Sequence, residues 1–93
     1  MNALLTDDEY RNLQNTLILN PGKGKLILGS GGLRKIRWGI TGRGKSGGVR
    51  IIYYWIVQRN IILMLLIYQK NEQDELTSSQ IKLLKSLVEK ELQ

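Results

Sequence analysis

The fold is decided by the stretch Val49-Arg-Ile-Ile-Tyr-Tyr-Trp-Ile-Val57, which is followed by Gln-Arg-Asn and then by Ile61-Ile-Leu-Met-Leu-Leu-Ile-Tyr68. Both runs are rich in β-branched and aromatic residues, which favour strands. Three residues between two such runs predict a turn, and the two runs therefore predict an antiparallel hairpin. Because the second run is apolar throughout, it predicts a central strand that is covered on both faces.

Shorter patterns on either side of this hairpin predict the remaining elements. The run Leu33-Arg-Lys-Ile-Arg-Trp38 alternates apolar and basic residues, which is typical of a further strand. Thr6 and Glu9 have the spacing of a capping box, and so do Thr77 and Gln80, so that each pair predicts the start of a helix. We therefore expect an α+β fold with an N-terminal helix, a three-stranded antiparallel sheet and a C-terminal helix in chain order. Helical cover is expected on one face of the sheet.

The length and composition exclude several classes of enzyme. The 93 residues are enough for a single domain, which we place at residues 1–93. The chain has no cysteine and no histidine, which excludes thiol and imidazole catalysis and leaves no expected metal or other cofactor. Neither a secretory signal nor a membrane span is visible in the sequence, so we expect a cytoplasmic protein without a membrane partner.

The distribution of charge indicates a polyanionic partner. The formal net charge is +6, and no acidic residue occurs between Tyr10 and Asn71. A segment with charges of one sign over most of a domain favours nucleic acid as the first candidate partner and an acidic protein as the second.

Three basic side chains are predicted to share one face of the sheet. Lys35 and Arg37 lie two residues apart on one strand, and Arg50 lies near the start of the next. If they meet, three cations come within reach of one phosphate group. The same spacing also fits a solvated basic face. Tyr54 shares the predicted face of Arg50 and is the candidate for stacking on a base.

The glycine-rich segment between these strands carries two more basic residues. The run Gly42-Arg-Gly-Lys-Ser-Gly-Gly48 leads into a strand rather than a helix, so it does not fit a nucleotide-binding P-loop. Arg43 and Lys45 fit contacts to a phosphate backbone better. A long turn without a ligand is the alternative.

Three motifs, in order and with matching spacing, carry a resemblance to a known family. They are Gly29-Ser-Gly-Gly-Leu-Arg-Lys-Ile-Arg-Trp38, Gly42-Arg-Gly-Lys-Ser-Gly-Gly-Val-Arg-Ile-Ile-Tyr-Tyr54, and Leu66-Ile-Tyr-Gln-Lys-Asn-Glu72 followed by Leu76-Thr77. Together they resemble the HigB-like branch of the RelE/ParE toxin superfamily. The resemblance covers nearly the whole chain.

This resemblance implies the toxin of a bacterial type II toxin–antitoxin pair. RelE-like members cut messenger RNA on the ribosome without a metal ion, by attack of the RNA 2′-OH on the adjacent phosphate. The implied partners are a cognate antitoxin protein and messenger RNA on the ribosome. Two alternatives stay open, which are a ParE-like toxin that acts on gyrase and a truncated or non-catalytic binding module with the same fold.

The resemblance also implies roles for individual residues. Arg37 and Arg50 would hold and neutralise the scissile phosphate, while Lys35 would assist activation of the 2′-OH. Contacts to RNA are implied for Arg43, Lys45 and Lys70, and they are expected in addition from Arg34 and Tyr54 on the two strands. The family normally begins with a strand upstream of the first helix, and a sheet without that strand has an unpaired edge that could support a homodimer.

Overall fold

Two helices and one antiparallel sheet make up the described part of the chain. The computed structural model describes residues 5–39, 48–69, 73 and 75–92. The elements are α1 (Asp7–Leu19), β1 (Lys25–Leu26), β2 (Leu33–Trp38), β3 (Val49–Ile56), β4 (Ile61–Gln69) and α2 (Ser78–Leu92), and the strand order is β1-β2-β3-β4. The predicted α+β class with terminal helices is confirmed. The sheet has four strands rather than the predicted three, because β1 has only two residues and leaves no periodic pattern in the sequence.

Both helices begin at the predicted capping boxes. The Thr6 hydroxyl accepts a hydrogen bond from the Glu9 amide at 3.1 Å, and the Thr6 amide donates to the Glu9 carboxylate at 2.9 Å. Thr77 and Gln80 repeat the arrangement at 3.1 and 2.9 Å. These bonds satisfy amides that the first turn of a helix leaves unpaired. In the described residues, neither helix is long and apolar enough to cross a membrane.

The two helices cover opposite faces of the sheet. Leu13 and Leu17 of α1 pack in one core cluster with Ile51, whereas Leu84 of α2 packs in a second cluster with Ile52. Successive residues of a strand point to opposite faces, so the sheet is the middle of three layers. The expectation of a helix on one face was therefore wrong. The physical reason is that β3 is apolar on both faces, and both faces need cover.

β4 lies at an edge of the sheet and not at its centre. Among the described residues it pairs with β3 alone, so the prediction of a central strand was wrong. The register also shifts within β4, because Ile52 pairs with Leu66 and Tyr53 with Met64, which leaves Leu65 without an opposite residue. This bulge brings Leu65 and Leu66 to the same face, the one that α2 covers.

Hydrogen bonds to the sheet anchor the connection from α1 to β1. The buried Tyr53 hydroxyl accepts a hydrogen bond from the Gly24 amide at 2.8 Å and donates one to the Pro21 carbonyl at 2.7 Å. Arg34 donates to the Gly24 carbonyl at 2.8 Å and to the Gly22 carbonyl at 3.3 Å. These contacts hold the short 3₁₀ turn at Pro21–Lys23 against the α1 side of the sheet.

The turn from β1 to β2 has its own internal support. The buried Ser30 hydroxyl donates to the Ile27 carbonyl at 2.6 Å and accepts from the Leu33 amide at 3.0 Å. Gly32 has a φ of +117°, and a Cβ atom there would lie 2.9 Å from the Tyr54 ring. Only glycine fits both constraints, which explains part of the glycine content of this segment.

Candidate nucleic-acid interface

The register of the sheet brings Arg37 and Arg50 together. They are direct partners across β2 and β3, and Arg50 is in turn the direct partner of Tyr68 on β4. Residues directly opposite each other in an antiparallel pair point to the same face. The three side chains thus form a row across three strands, and the predicted meeting of Arg37 and Arg50 on one face is confirmed.

Two lysines lie on the same face in the neighbouring row of the sheet, on β1 and β2. Lys35 lies two residues before Arg37 and therefore shares its face, and it is the direct partner of Lys25. We call the four side chains the basic face: Lys25, Lys35, Arg37 and Arg50. Lys25 was missed as a site residue, because only the pairing of the two-residue strand β1 places it there.

Exposure differs sharply along the basic face. Arg37 is exposed and Lys35 is half-buried, whereas only 4% of Arg50 is exposed. No strand of the sheet contains a carboxylate, and within the described residues no ion pair or side-chain hydrogen bond engages the Arg50 guanidinium. Most of the Arg50 side chain is removed from water while its guanidinium nitrogens still reach the surface, which is unfavourable for a cation, and two cations opposite each other repel. A bound anion would relieve both costs.

A groove of about 400 Å³ adjoins the basic face at Lys25 and Lys35. Its walls are largely apolar and include Leu28 from the β1–β2 turn and Ile81 from α2, while Glu75 is its acidic residue. Cations beside apolar walls suit a ligand with both an anionic group and a flat apolar part. A nucleotide has both.

Two predicted RNA contacts lie away from the basic face. Arg34 points to the opposite face, where its guanidinium donates hydrogen bonds to backbone carbonyls of the α1–β1 connection. Tyr54 does share the face of Arg50, but it lies four residues further along β3, roughly 13 Å away. There it packs near Leu33 and Val88 in the cluster under α2. The aromatic residue next to Arg50 is Tyr68 instead.

The other three predicted contacts, Arg43, Lys45 and Lys70, lie outside the described residues. Their described neighbours are at the same end of the sheet as Arg37, because Trp38 pairs with Val49 and Val49 pairs with Gln69. The roles of these three residues therefore stay predictions.

No protein-family model matches the chain. Among the described residues, no group of three or more acidic side chains is placed to hold a metal ion.

Proposed function

We propose that this protein is a ribosome-dependent messenger RNA endoribonuclease, the toxin of a bacterial type II toxin–antitoxin pair that acts in the cytoplasm. The observation that carries the proposal is the direct pairing of Arg37 with Arg50 in a sheet that has no carboxylate. Two arginines on one face of a sheet can offer their guanidinium groups to the oxygens of one phosphate group, and the resemblance of the three sequence motifs supplies the class of substrate.

In the proposed reaction, the RNA 2′-OH attacks the phosphate that follows it in the chain. A bond forms between the 2′ oxygen and phosphorus, and the bond from phosphorus to the 5′ oxygen of the next nucleotide breaks. The 2′-OH loses its proton and the leaving 5′ oxygen gains one, so the products are a 2′,3′-cyclic phosphate and a 5′-OH end. The reaction needs no metal ion.

The basic face would stabilise the negative charge that builds up on the phosphate during this attack. Exposed Arg37 binds the phosphate oxygens at the surface, and half-buried Lys35 lies beside it, toward the 2′-OH. Arg50 adds its charge from a site that is largely shielded from water, where a cation acts more strongly than in bulk solvent. The neighbouring groove at Lys25 would take the base.

A non-catalytic RNA-binding module is the second candidate. The absence of histidine favours this second candidate, because imidazole is the commonest acid–base group in active sites. On the strand of Arg37, the side chain left for such a role on the same face is that of Lys35. In either case an antitoxin would place an acidic segment against the basic face.

The test is messenger RNA cleavage in a reconstituted translation system, read by primer extension on ribosome-bound message. Three folded proteins are compared: the wild type, Arg50→Ala, and Arg59→Ala as a matched control in the exposed turn after β3. We expect cleavage by the wild type and the control, and its loss in Arg50→Ala. Binding of RNA without cleavage by the wild type would support the second candidate, and inhibition of gyrase without cleavage would contradict both.

A further inference from the structure

Among the described residues, β4 has the composition of a central strand but the position of an edge strand. Its nine residues, Ile61–Gln69, include no charged residue and no proline. We propose that this strand pairs with β4 of a second copy of the chain, antiparallel and about a twofold axis, so that two sheets become one. The inference does not depend on the proposed function.

Unprotected edge strands are uncommon because their free amides and carbonyls recruit other strands. Natural sheets block such pairing with short strands, charged side chains or proline. β1, at the other edge, follows this rule, since it has two residues and one of them is Lys25. β4 is long and has neither charge nor proline; its one protective feature is the bulge at Leu65, which interrupts the pairing with β3 at a single position.

Exposed apolar side chains continue this edge onto both helical layers. On one side, Ile18 of α1 is 68% exposed and lines a hollow of about 90 Å³ with Ile62 and Met64 of β4. On the other side, Leu83 and Leu87 of α2 are 61% and 48% exposed.

The helical positions of these two leucines place them on the β4 side of α2. Ile81 and Lys85 lie on the flank of α2 that faces β1 and the β1–β2 turn. Leu83 follows Ile81, and Leu87 follows Lys85, by two positions. Two positions correspond to a rotation of roughly 200° about the helix axis, which puts both leucines on the opposite flank. We call the whole surface the β4 edge patch: Ile18, Ile61–Gln69, Leu83 and Leu87.

The β4 edge patch is large enough for a stable dimer. A nine-residue strand is roughly 30 Å long, and a sheet with a helix on each face is roughly 20 Å thick. The patch would then bury about 600 Å² per copy and about 1,200 Å² in total, which reaches the range of specific interfaces.

A second copy also fits the distribution of charge. The chain carries a net charge of +6, so two copies can approach closely only through an uncharged surface. The twofold axis sets the Tyr68 end of one β4 against the Ile61 end of the other. Arg50 is the partner of Tyr68, so the two basic faces lie at opposite ends of the joined sheet, where their repulsion is screened by salt.

The first test is the mass of the full chain in solution, measured by light scattering over a range of micromolar concentrations. We expect the wild type to have twice its chain mass of 10.6 kDa. The double variant Ile18→Glu/Leu87→Glu should weaken the dimer by roughly tenfold or more, because like charges would meet across the axis. The matched control is Leu26→Glu/Leu28→Glu at the other edge, where both side chains are exposed.

Cross-linking of single introduced cysteines locates the contact between the two copies, because the natural chain contains no cysteine. Under mild oxidation, Leu65→Cys at the middle of β4 should form a covalent dimer much faster than Leu28→Cys, which is 95% exposed in the wild type. A wild-type monomer at every concentration overturns the proposal, even if the monomer captures an added strand from another protein. Equal effects of the two double variants, or equal cross-linking by the two cysteines, also overturn it.

Discussion

Arg37 on β2 and Arg50 on β3 lie directly opposite each other on one face of the sheet. Like charges in this relationship destabilise a strand pair, and Arg50 is in addition almost fully buried. A sheet that needed only stability would have apolar or oppositely charged residues here. If the pair binds an anion as proposed, stability and binding oppose each other here, and substitutions should separate the two.

Replacement of Arg37 by glutamine should stabilise the free protein. The change removes the repulsion from Arg50, and we expect the free energy of unfolding to rise by about 0.5 kcal/mol at low ionic strength. The gain should shrink as salt is added, because salt screens the exposed guanidinium. Urea denaturation at two salt concentrations measures both effects. Arg59→Gln, in the exposed turn after β3, is the control that should change little; a loss of stability in Arg37→Gln would contradict the idea of repulsion.

The variant Arg50→Met should keep the fold and lose the proposed cleavage activity. Methionine retains the apolar stem of the side chain without a buried charge, so we expect the free energy of unfolding to stay the same or rise by about 1 kcal/mol. Cleavage of messenger RNA should fall by about 100-fold or more, in the range found when one charge-stabilising group is removed from an active site. Denaturation curves and cleavage rates are measured on the same preparation. An unfolded Arg50→Met protein would show that the guanidinium has a structural role instead.

The sequence predicted those parts of the fold that depend on local patterns. β2 and β3 follow from alternation and β-branched composition, and the two helix starts follow from Thr6 and Thr77 with their partners three residues later. The position of β4 could not be predicted in this way. The apolar composition of β4 indicates that both of its faces are buried. Whether a second strand lies beside it depends on distant parts of the chain or on another molecule.

The sequence predicted only that part of the candidate site which follows from the alternation of side chains along a single strand. That alternation placed Lys35 and Arg37 on one face, but their meeting with Arg50 stayed conditional, because it depends on the register of β2 against β3. Lys25 and Tyr68 joined the candidate site only through the register of β1 and β4. For the same reason the structure brings Tyr68, and not Tyr54, next to Arg50.

Loss of the Tyr53 hydroxyl should destabilise the α1 side of the sheet. In Tyr53→Phe the buried Gly24 amide loses its acceptor and the Pro21 carbonyl loses its donor. The Gly24 amide is the buried one of the two, and an unpaired buried polar group costs about 1–3 kcal/mol, so we expect a loss of that size in the free energy of unfolding. Cleavage by the folded fraction should be unchanged, because Tyr53 lies on the face opposite Arg37. Tyr10→Phe, in α1, is the control, and an equal loss in both variants would argue against this anchor.

Two glycines of the same connection should respond differently to alanine. Gly24 has an extended backbone that alanine can adopt, with φ −72° and ψ 153°, but a Cβ atom there would lie 2.7 Å from the Tyr53 hydroxyl oxygen. That hydroxyl is buried and held by two hydrogen bonds, so it cannot move away cheaply. We expect Gly24→Ala to lower the free energy of unfolding by about 1–3 kcal/mol.

Gly22→Ala is the matched control two residues earlier. No atom lies within 4 Å of a Cβ built at Gly22, and its φ is not in the left-handed region. Alanine there restricts the unfolded chain without a clash, so we expect no loss of stability or a gain of about 0.4–1 kcal/mol. Thermal denaturation of the two variants side by side gives the comparison. If Gly24→Ala is as stable as Gly22→Ala, the Tyr53 hydroxyl is not fixed against this turn.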